Sequence, residues 1–315
     1  DGVEYVTKAV EEIKDQTDAI IVLAHWGQSS LTATSDKLAE IPGVDLVIDG
    51  HSHTVMPEGK QTTGGLVAST GEYLKNLGKV TLTIDGDKVT AKAELIPRPE
   101  VFPSKNIAST ISSVEDAQKV IFEEVVGKTS VALDGERANV RTGETNMGDL
   151  ICDAIADGTG ADVVLTNGGG IRASIDVGDI TRGEVITVLP FGNYVVTKTV
   201  TGKILKDALE FGLQKYPDQN GGFPHVAGLT YQFDPSKEVG SRLVEVLVGG
   251  EALDESKSYV LATNDFMAAG GDGYVMFKDA PIQYEFGGLD EMLVAYLQKT
   301  GEVSTAVDGR ITSVK

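Results

Sequence analysis

The chain of 315 residues has a single cysteine, Cys152, so it holds no internal disulfide and no cysteine cluster for zinc. It also lacks any run approaching the ~18 apolar residues that a membrane-spanning helix needs, and no transmembrane segment is expected. Basic residues are scarce: 27 Lys and Arg stand against 47 Asp and Glu, a net charge of −20. That balance excludes partners whose affinity rests on neutralising many backbone phosphates, so long nucleic acids are not expected to bind. A small phosphate compound stays open, because a metal ion or a few arginines reverse the charge locally. Histidine is rarer still, with four in the whole chain. The chain opens on DGVEYVTK, with neither an initiator methionine nor a secretory leader, and an upstream piece is expected.

What is present reads as α/β. Val3, Val6, Val10 and Ile13 follow helical spacing and lead into AIIVLAHWG, an apolar run suited to a buried parallel strand. The pattern repeats as a short helix from Ser35 to Glu40, a Pro42-Gly43 break and a strand from Val44 to Ile48. Strands are expected in GLVAST, GKVTLTID and KVTAKAELI, the last two joined by a turn from Asp85 to Lys88. So small a parallel sheet leaves an edge and one face uncovered, and further strands upstream are expected to complete it. PRPEVFPSK then interrupts the pattern, and Ile111, Val114, Ala117, Val120, Ile121 and Val125 resume it with helical spacing. The expected organisation is the end of one layered α/β domain over residues 1–98, a linker with a connecting helix over 99–126, and a second α/β domain over 127–315. In the second domain TNMGDLICDAIADG reads as a helix with an Asn or Thr cap and a closing glycine. ADVVLTN, VVTKTV, LTYQFD, RLVEVLV and SYVLATN read as strands, and no repeat period is present.

His25 ends the apolar run IIVLAHWG, and His51 and His53 follow the next one in VIDGHSHT. Side chains emerge at the carboxyl edge of a parallel sheet, where ligands of α/β proteins bind. In an extended segment His51 and His53 point to the same side. An isolated histidine is usually a surface or capping residue, but this repeated placement favours converging metal ligands. Asp49 is a candidate acceptor behind them, or a residue that shapes the turn. VLAHWG and DGHSH, about 25 residues apart, resemble the last two metal-binding motifs of the calcineurin-like metallophosphatase domain of the 5′-nucleotidase family. The resemblance implies a dinuclear centre of two divalent ions, zinc or manganese, with His25 and His51 on one ion and His53 on the other. It also implies that the remaining ligands and the catalytic histidine precede Asp1, which leaves the catalytic residues of this chain unknown. Three imidazoles alone are not expected to hold two metals.

The second half offers Arg137 and Arg141 in ERANVRTGETNMGDL, and Arg172 after a glycine run in LTNGGGIR. The planar guanidinium matches phosphate, and glycines admit a ligand close to the backbone, although each arginine alone is as readily a surface ion pair. LPFGNY and NDFMAAGGDGY place Phe191 and Phe266 beside polar groups. Two such rings can stack on a base and a carboxylate can accept the hydroxyls of a ribose, although either ring alone is more often core. VRTGETNMGDLICDAI, NGGGIR, GDITRGEVITVLPFGN, GGFPHVAGL and ATNDFMAAGGDGY together resemble the carboxyl-terminal substrate-binding domain of the same family, across residues 127 to 315. The resemblance implies that Arg137, Arg141 and Arg172 bind the phosphate side, Phe191 and Phe266 stack on the base, Asp272 holds the ribose, and Asn193 and Gly221 line the pocket. It gives His225 no metal role, and His225 reads as a loop residue. In the family the two domains meet around the substrate and one rotates on the connecting helix, here approximately Ile107 to Val126.

The leading expectation is a secreted, periplasmic or cell-wall-associated enzyme that hydrolyses nucleoside 5′-phosphates, of which this chain keeps the substrate-binding domain and part of the metal site. UDP-sugar hydrolases and cyclic nucleotide phosphodiesterases of the same family are alternatives. Two others are a nucleotide-binding module without turnover and a catalytically retired adhesin or scaffold.

Overall fold

The first hundred residues fold as their alternation of amphipathic and continuously apolar segments dictates, in a computed structural model that describes residues 2–28, 34–86, 88–98 and 104–314. The chain packs as two units, Asp1–Lys105 and Asn106–Lys315. The first contains helix α1 (Gly2–Ile13), strand β1 (Ile21–Leu23), helix α2 (Asp36–Ala39), and strands β2 (Leu46–Ile48), β3 (Lys60–Gln61), β4 (Leu66–Ala68), β5 (Asn76–Asp85) and β6 (Lys88–Pro97). One sheet has the order β1-β2-β4-β3, with β1, β2 and β4 parallel and β3 antiparallel at its edge. Val10 of α1 and Leu38 and Ala39 of α2 pack with Val47 and Val67 of the sheet. Leu46, Leu66 and Ala68 pack with Ala93 of the β5-β6 hairpin. Ile21 and Leu23 of edge strand β1 are exposed. Asp87 of the expected turn and residues 99–103 of the proline-bearing break lie outside the described residues.

Helix α3 (Lys105–Phe122) leads into the second unit and buries none of its residues. The apolar spacing predicts a helix as far as Val125, and the resemblance carries it to about Val126, but the chain leaves the helix after Phe122 and Val125 opens strand β7 (Val125–Thr129). The neighbouring valines favour strand, and β7 finds partners in two later strands. In chain order the unit continues with α4 (Arg137–Val140), α5 (Asn146–Thr159), β8 (Val163–Asn167), β9 (Gly178–Thr181), α6 (Arg182–Val188), β10 (Tyr194–Thr201), α7 (Gly202–Gly212), β11 (Pro224–Ala227), β12 (Leu229–Phe233), β13 (Leu243–Val248), β14 (Glu251–Ala252), β15 (Ser258–Asn264), α8 (Asp265–Ala268), β16 (Ile282–Gly288), α9 (Leu289–Thr300), β17 (Glu302–Val303) and β18 (Ile311–Ser313). Thr145 caps α5 by accepting from the Gly148 N–H, and Gly160, in the left-handed conformation, closes it.

The central sheet has the order β11-β8-β15-β10-β16, flanked by the smaller sheets β14-β13-β12-β18 and β17-β7-β9. Strand β8 is buried throughout, and its alternation serves two cores. Val164 packs with Ile151 and Ile155 of α5 and Leu293 of α9. Val163 and Leu165 face the other way, onto Leu205 and Leu209 of α7 and onto Tyr274. A sheet clamped between two helical layers holds its strand ends firmly, which matters because the candidate site is built on them. Among the described residues no helix is long and apolar enough to cross a membrane.

Candidate functional site

Strand register gathers the loops singled out in the second half. Strand β15 runs parallel to β8, with Ala262 beside Val164, so Asn167 and Asn264 end neighbouring strands at one edge. Antiparallel β10 sets Val195 beside Asn264, and antiparallel β11 sets Pro224 beside Asn167. The loops carrying Arg172, Phe191 with Asn193, Gly221, and Phe266 with Asp272 therefore share that edge.

The three arginines form the first part of the site. Helix α4 comes so close to the glycine run that a Cβ on Gly168 would stand 1.8 Å from the Val140 carbonyl oxygen, so only glycine fits. The Asn220 N–H donates to the Arg141 carbonyl (3.0 Å), and the Arg172 N–H to that of Val188 (2.9 Å). Arg141 Nε is buried without a hydrogen-bond partner. Burial, and after it the charges of Arg137 and Arg172, pull the Arg141 pKa down to about 10, with Asp272 opposing. None of the three arginines has an ion-pair partner among the described residues, which separates them from Arg182 and Arg310, each paired with carboxylates. Like charges held together without an ion-pair partner make a site for an anion.

The aromatic and acidic parts lie beside it. Phe191 and Phe266 are 58% and 44% exposed, which sets both rings apart from the core. The Arg172 guanidinium carbon lies 5.5 Å from the Phe191 ring centre. Asn193 Nδ2 donates to Asp265 Oδ1 (2.7 Å), tying the loop of Phe191 to that of Phe266. A Cβ on Gly271 would fall 2.6 Å from the Phe266 ring, so the ring would have to shift to admit one. Asp272 adopts the left-handed conformation (φ 51°), and its Oδ2 accepts from Asn167 Nδ2 (2.7 Å). Gly221 stands beside Asp272 and accepts at its carbonyl from the Gly169 N–H (2.7 Å). A cavity at this edge is lined by Ile151, Asn167, Gly170, Phe191, Asn193 and Asn264, among others.

His225, expected in a loop, is fully buried on β11. Pro224 opens that strand, a position proline tolerates. The His225 Nε2 lies 2.9 Å from the Val140 carbonyl oxygen, one residue before Arg141. Burial pushes its pKa down to about 4, against the hydrogen bond to Val140. Asn167 and Asn264 were missed as site residues. Their signal is the wording of the two strands, each an apolar run that ends in Thr-Asn.

The first unit holds the histidines. Parallel pairing of β1 and β2, with Leu23 beside Ile48, places His25 and His51 beyond the same sheet edge. His25 Nε2 and His51 Nδ1 lie 3.2 Å apart. Two nitrogens bound at ~2.0–2.1 Å to one tetrahedral zinc are separated by ~3.3 Å, so this pair fits a shared ion. The extended segment expected for His51 and His53 is not formed, because both adopt left-handed backbone (φ 67° and 56°). His53 instead places Nδ1 2.6 Å from Glu72 Oε2, a neighbour missed in the sequence. Asp49 accepts from the N–H groups of Trp26 (2.9 Å) and Gly27 (2.9 Å), and so shapes the loop of His25. Burial works against its ionisation, but hydrogen bonds from Ser35, Trp26, Gly27 and Gly50 outweigh it and hold the carboxyl below its usual range.

The ligand atoms of the three histidines do not gather within 4.8 Å of one another. Among the described residues Glu144, Asp149 and Asp308 of the second unit do, and there Arg310 supplies the positive charge.

Residues 125–279 match the family described as the 5′-nucleotidase C-terminal domain. The chain is 37% identical over 326 residues to the trifunctional nucleotide phosphoesterase protein of Bacillus subtilis, covering 98% of this chain and 22% of that protein. It is 31% identical to the 5′-nucleotidase of Bos taurus, covering 99% of this chain and 61% of the relative. It thus spans less than two thirds of the curated relatives it matches. The crystal structure of a 5′-nucleotidase precursor from Thermus thermophilus superposes with a TM-score of 0.76 at 33% identity, covering all of this chain and 68% of the other.

Proposed function

Because the chain belongs to the 5′-nucleotidase family, we propose that it comes from a metal-dependent hydrolase that releases phosphate from nucleoside 5′-phosphates outside the cytoplasm. In this reading residues 127–315 are the substrate-binding domain and residues 1–98 the end of a metallophosphatase domain, joined by the segment 99–126. The observation that carries it is the cluster of Arg137, Arg141 and Arg172, without ion-pair partners among the described residues and beside two exposed phenylalanines. The arginines would take the phosphate, Phe191 and Phe266 the base, and Asp272 the ribose, with Asn193 and Gly221 lining the pocket. His25 and His51 would hold one divalent ion, zinc or manganese, and His53 a second. Such a pair supplies a metal-bound hydroxide and a clamp for phosphate oxygens.

The test is calorimetric titration of the purified chain with AMP and with adenosine, alongside phosphate release with manganese or zinc and with a chelator. AMP is expected to bind at least about tenfold more tightly than adenosine, since charge-assisted bonds to the phosphate supply much of the affinity. Equal or absent binding of the two would overturn the reading. A second reading, a nucleotide-binding module without turnover, draws on the way the three histidines fail to converge. It predicts AMP binding without chelator-sensitive phosphate release. UDP-sugars and cyclic nucleotides in the same assay separate the other activities of the family.

Glu72 follows from the same reading. A ligating histidine commonly gives its second ring nitrogen to a carboxylate; Glu72 Oε2 stands 2.6 Å from His53 Nδ1, without an aligned hydrogen bond, and Nε2 would be the nitrogen left for the ion. Glu72→Gln is expected to weaken zinc binding roughly 10-fold or more, read by competition with a chromogenic chelator. Unchanged affinity would reduce the contact to a surface ion pair.

A further inference from the structure

We propose that Asn167 and Asn264 are positioning residues that orient Asp272 for a vicinal diol, so that the site selects ribonucleotides over 2′-deoxyribonucleotides. The inference rests on the nucleotide reading above and adds the part of the chain that enforces sugar selectivity.

The geometry starts from one backbone group. The Met267 N–H donates to Asn264 Oδ1 (2.8 Å), which makes Asn264 the cap of α8. With its oxygen so assigned, Asn264 Nδ2 must donate, and it points at Asn167 Oδ1 (3.0 Å) and Thr166 Oγ1 (3.2 Å). That fixes Asn167 in turn: its oxygen accepts, so its Nδ2 faces Asp272 Oδ2 at 2.7 Å. A flip of either amide would set oxygen against oxygen between two side chains that are only 4% and 3% exposed. One main-chain N–H thereby dictates the orientation of a carboxylate two side chains away.

The consequence falls on Asp272. Its Oδ2 is engaged by Asn167, so Oδ1 is the oxygen left to lead toward a ligand, and the left-handed backbone holds the carboxylate on one heading. Strand β8, which carries Asn167, is buried throughout, so the anchor is rigid. Both hydroxyls of a ribose can bond a carboxylate so oriented, whereas a 2′-deoxyribose offers one. A lost hydrogen bond to a charged group lowers affinity about 10- to 100-fold.

The experiment is calorimetric titration of the 315-residue chain with AMP and 2′-deoxy-AMP, with melting temperature recorded for every variant. The wild-type chain is expected to prefer AMP about tenfold or more. Asn167→Asp keeps the acceptor for Asn264 but presents Asp272 with a second carboxylate. Its preference for AMP is expected to fall toward unity at and above neutral pH. Relative to the wild type it should recover as pH is lowered, because one proton shared between two close carboxylates restores the donor. Asn264→Ser keeps a good helix cap while deleting the amide that orients Asn167, and is expected to lose part of the preference at every pH. A purely structural role would weaken both nucleotides together and leave their ratio alone. The proposal is overturned if both variants keep the wild-type ratio while Asp272→Ala abolishes it. If Asp272→Ala leaves AMP affinity unchanged, the nucleotide reading falls as well.

Discussion

Replacing Arg141 with methionine is expected to weaken binding of a nucleoside 5′-phosphate by roughly 30-fold or more and to raise the melting temperature of the ligand-free chain. The two effects share a cause. Arg141 is partly buried, its Nε has no hydrogen-bond partner, and its pKa is pulled down to about 10, by burial first and then by Arg137 and Arg172. Without an anion the guanidinium is therefore a net cost. With one, it makes charge-assisted bonds whose truncation costs about 2–5 kcal/mol. Methionine keeps much of the apolar stem and fills an irregular gap without charge, so the substitution removes electrostatics more than packing. Relief of even ~1 kcal/mol raises the melting point of a domain this size by about 2–4 °C. Thermal melting with and without inorganic phosphate, and calorimetry with AMP, read both effects. Phosphate should raise the melting temperature of the wild-type chain by linkage and leave the variant nearly unmoved. A variant that melts lower yet binds AMP as the wild type does would take Arg141 out of the phosphate site.

The α/β class and the loops of the candidate site were legible because both are written locally. Apolar runs such as ADVVLTN and SYVLATN announce buried strands, and the loops that follow them carry their own glycines and arginines. What stayed illegible depends on backbone or on pairing. Alternation along an extended chain puts His51 and His53 on one side, but left-handed backbone at both residues re-aims them, and His53 meets Glu72, nineteen residues on, only through the fold. His225 sits among glycines and a proline, the composition of a loop, and becomes core because β11 pairs with β8. Asn167 and Asn264 lie 97 residues apart, and their hydrogen bond follows only from the parallel pairing of β8 with β15. Amphipathic spacing carries the expected α3 past its end, since Val125 fits a helical stripe as well as the strand it opens.

The second unit is expected to lose stability toward acid through His225 and toward alkali through Asp149. His225 is fully buried, and burial pushes its pKa down to about 4 despite the bond to Val140, with Glu144 raising it and Arg310 lowering it. The unfolded chain takes up a proton on this histidine below about 6.5 that the folded chain refuses. Stability is therefore intact above about 6.5 and declines as pH falls toward 4, by about 3 kcal/mol at most. Asp149 runs the other way. Its carboxyl is buried at the start of α5, and burial first, then Glu144 and Asp308, push its pKa up to about 8 while Arg310 opposes. The folded chain keeps a proton there that the unfolded chain releases above its own value near 4, so stability is fully present below about 4 and declines as pH rises through 8.

Between about 4 and 6.5 the two slopes have opposite signs and partly cancel, and single substitutions separate them. His225→Gln retains a donor for the Val140 carbonyl without a charge to acquire, so its urea midpoint should rise relative to the wild type as pH falls from about 6.5 to 4. Asp149→Asn should gain relative to the wild type as pH rises from about 4 to 8. The comparison needs urea midpoints at about pH 4.5, 6 and 8, with the slope against pH as the readout, because either substitution also changes packing by a pH-independent amount. Curves parallel to the wild type would mean that neither group changes its proton affinity on folding, and the acid and alkaline limits would then belong to the surface charge of a chain that carries 20 excess negative charges.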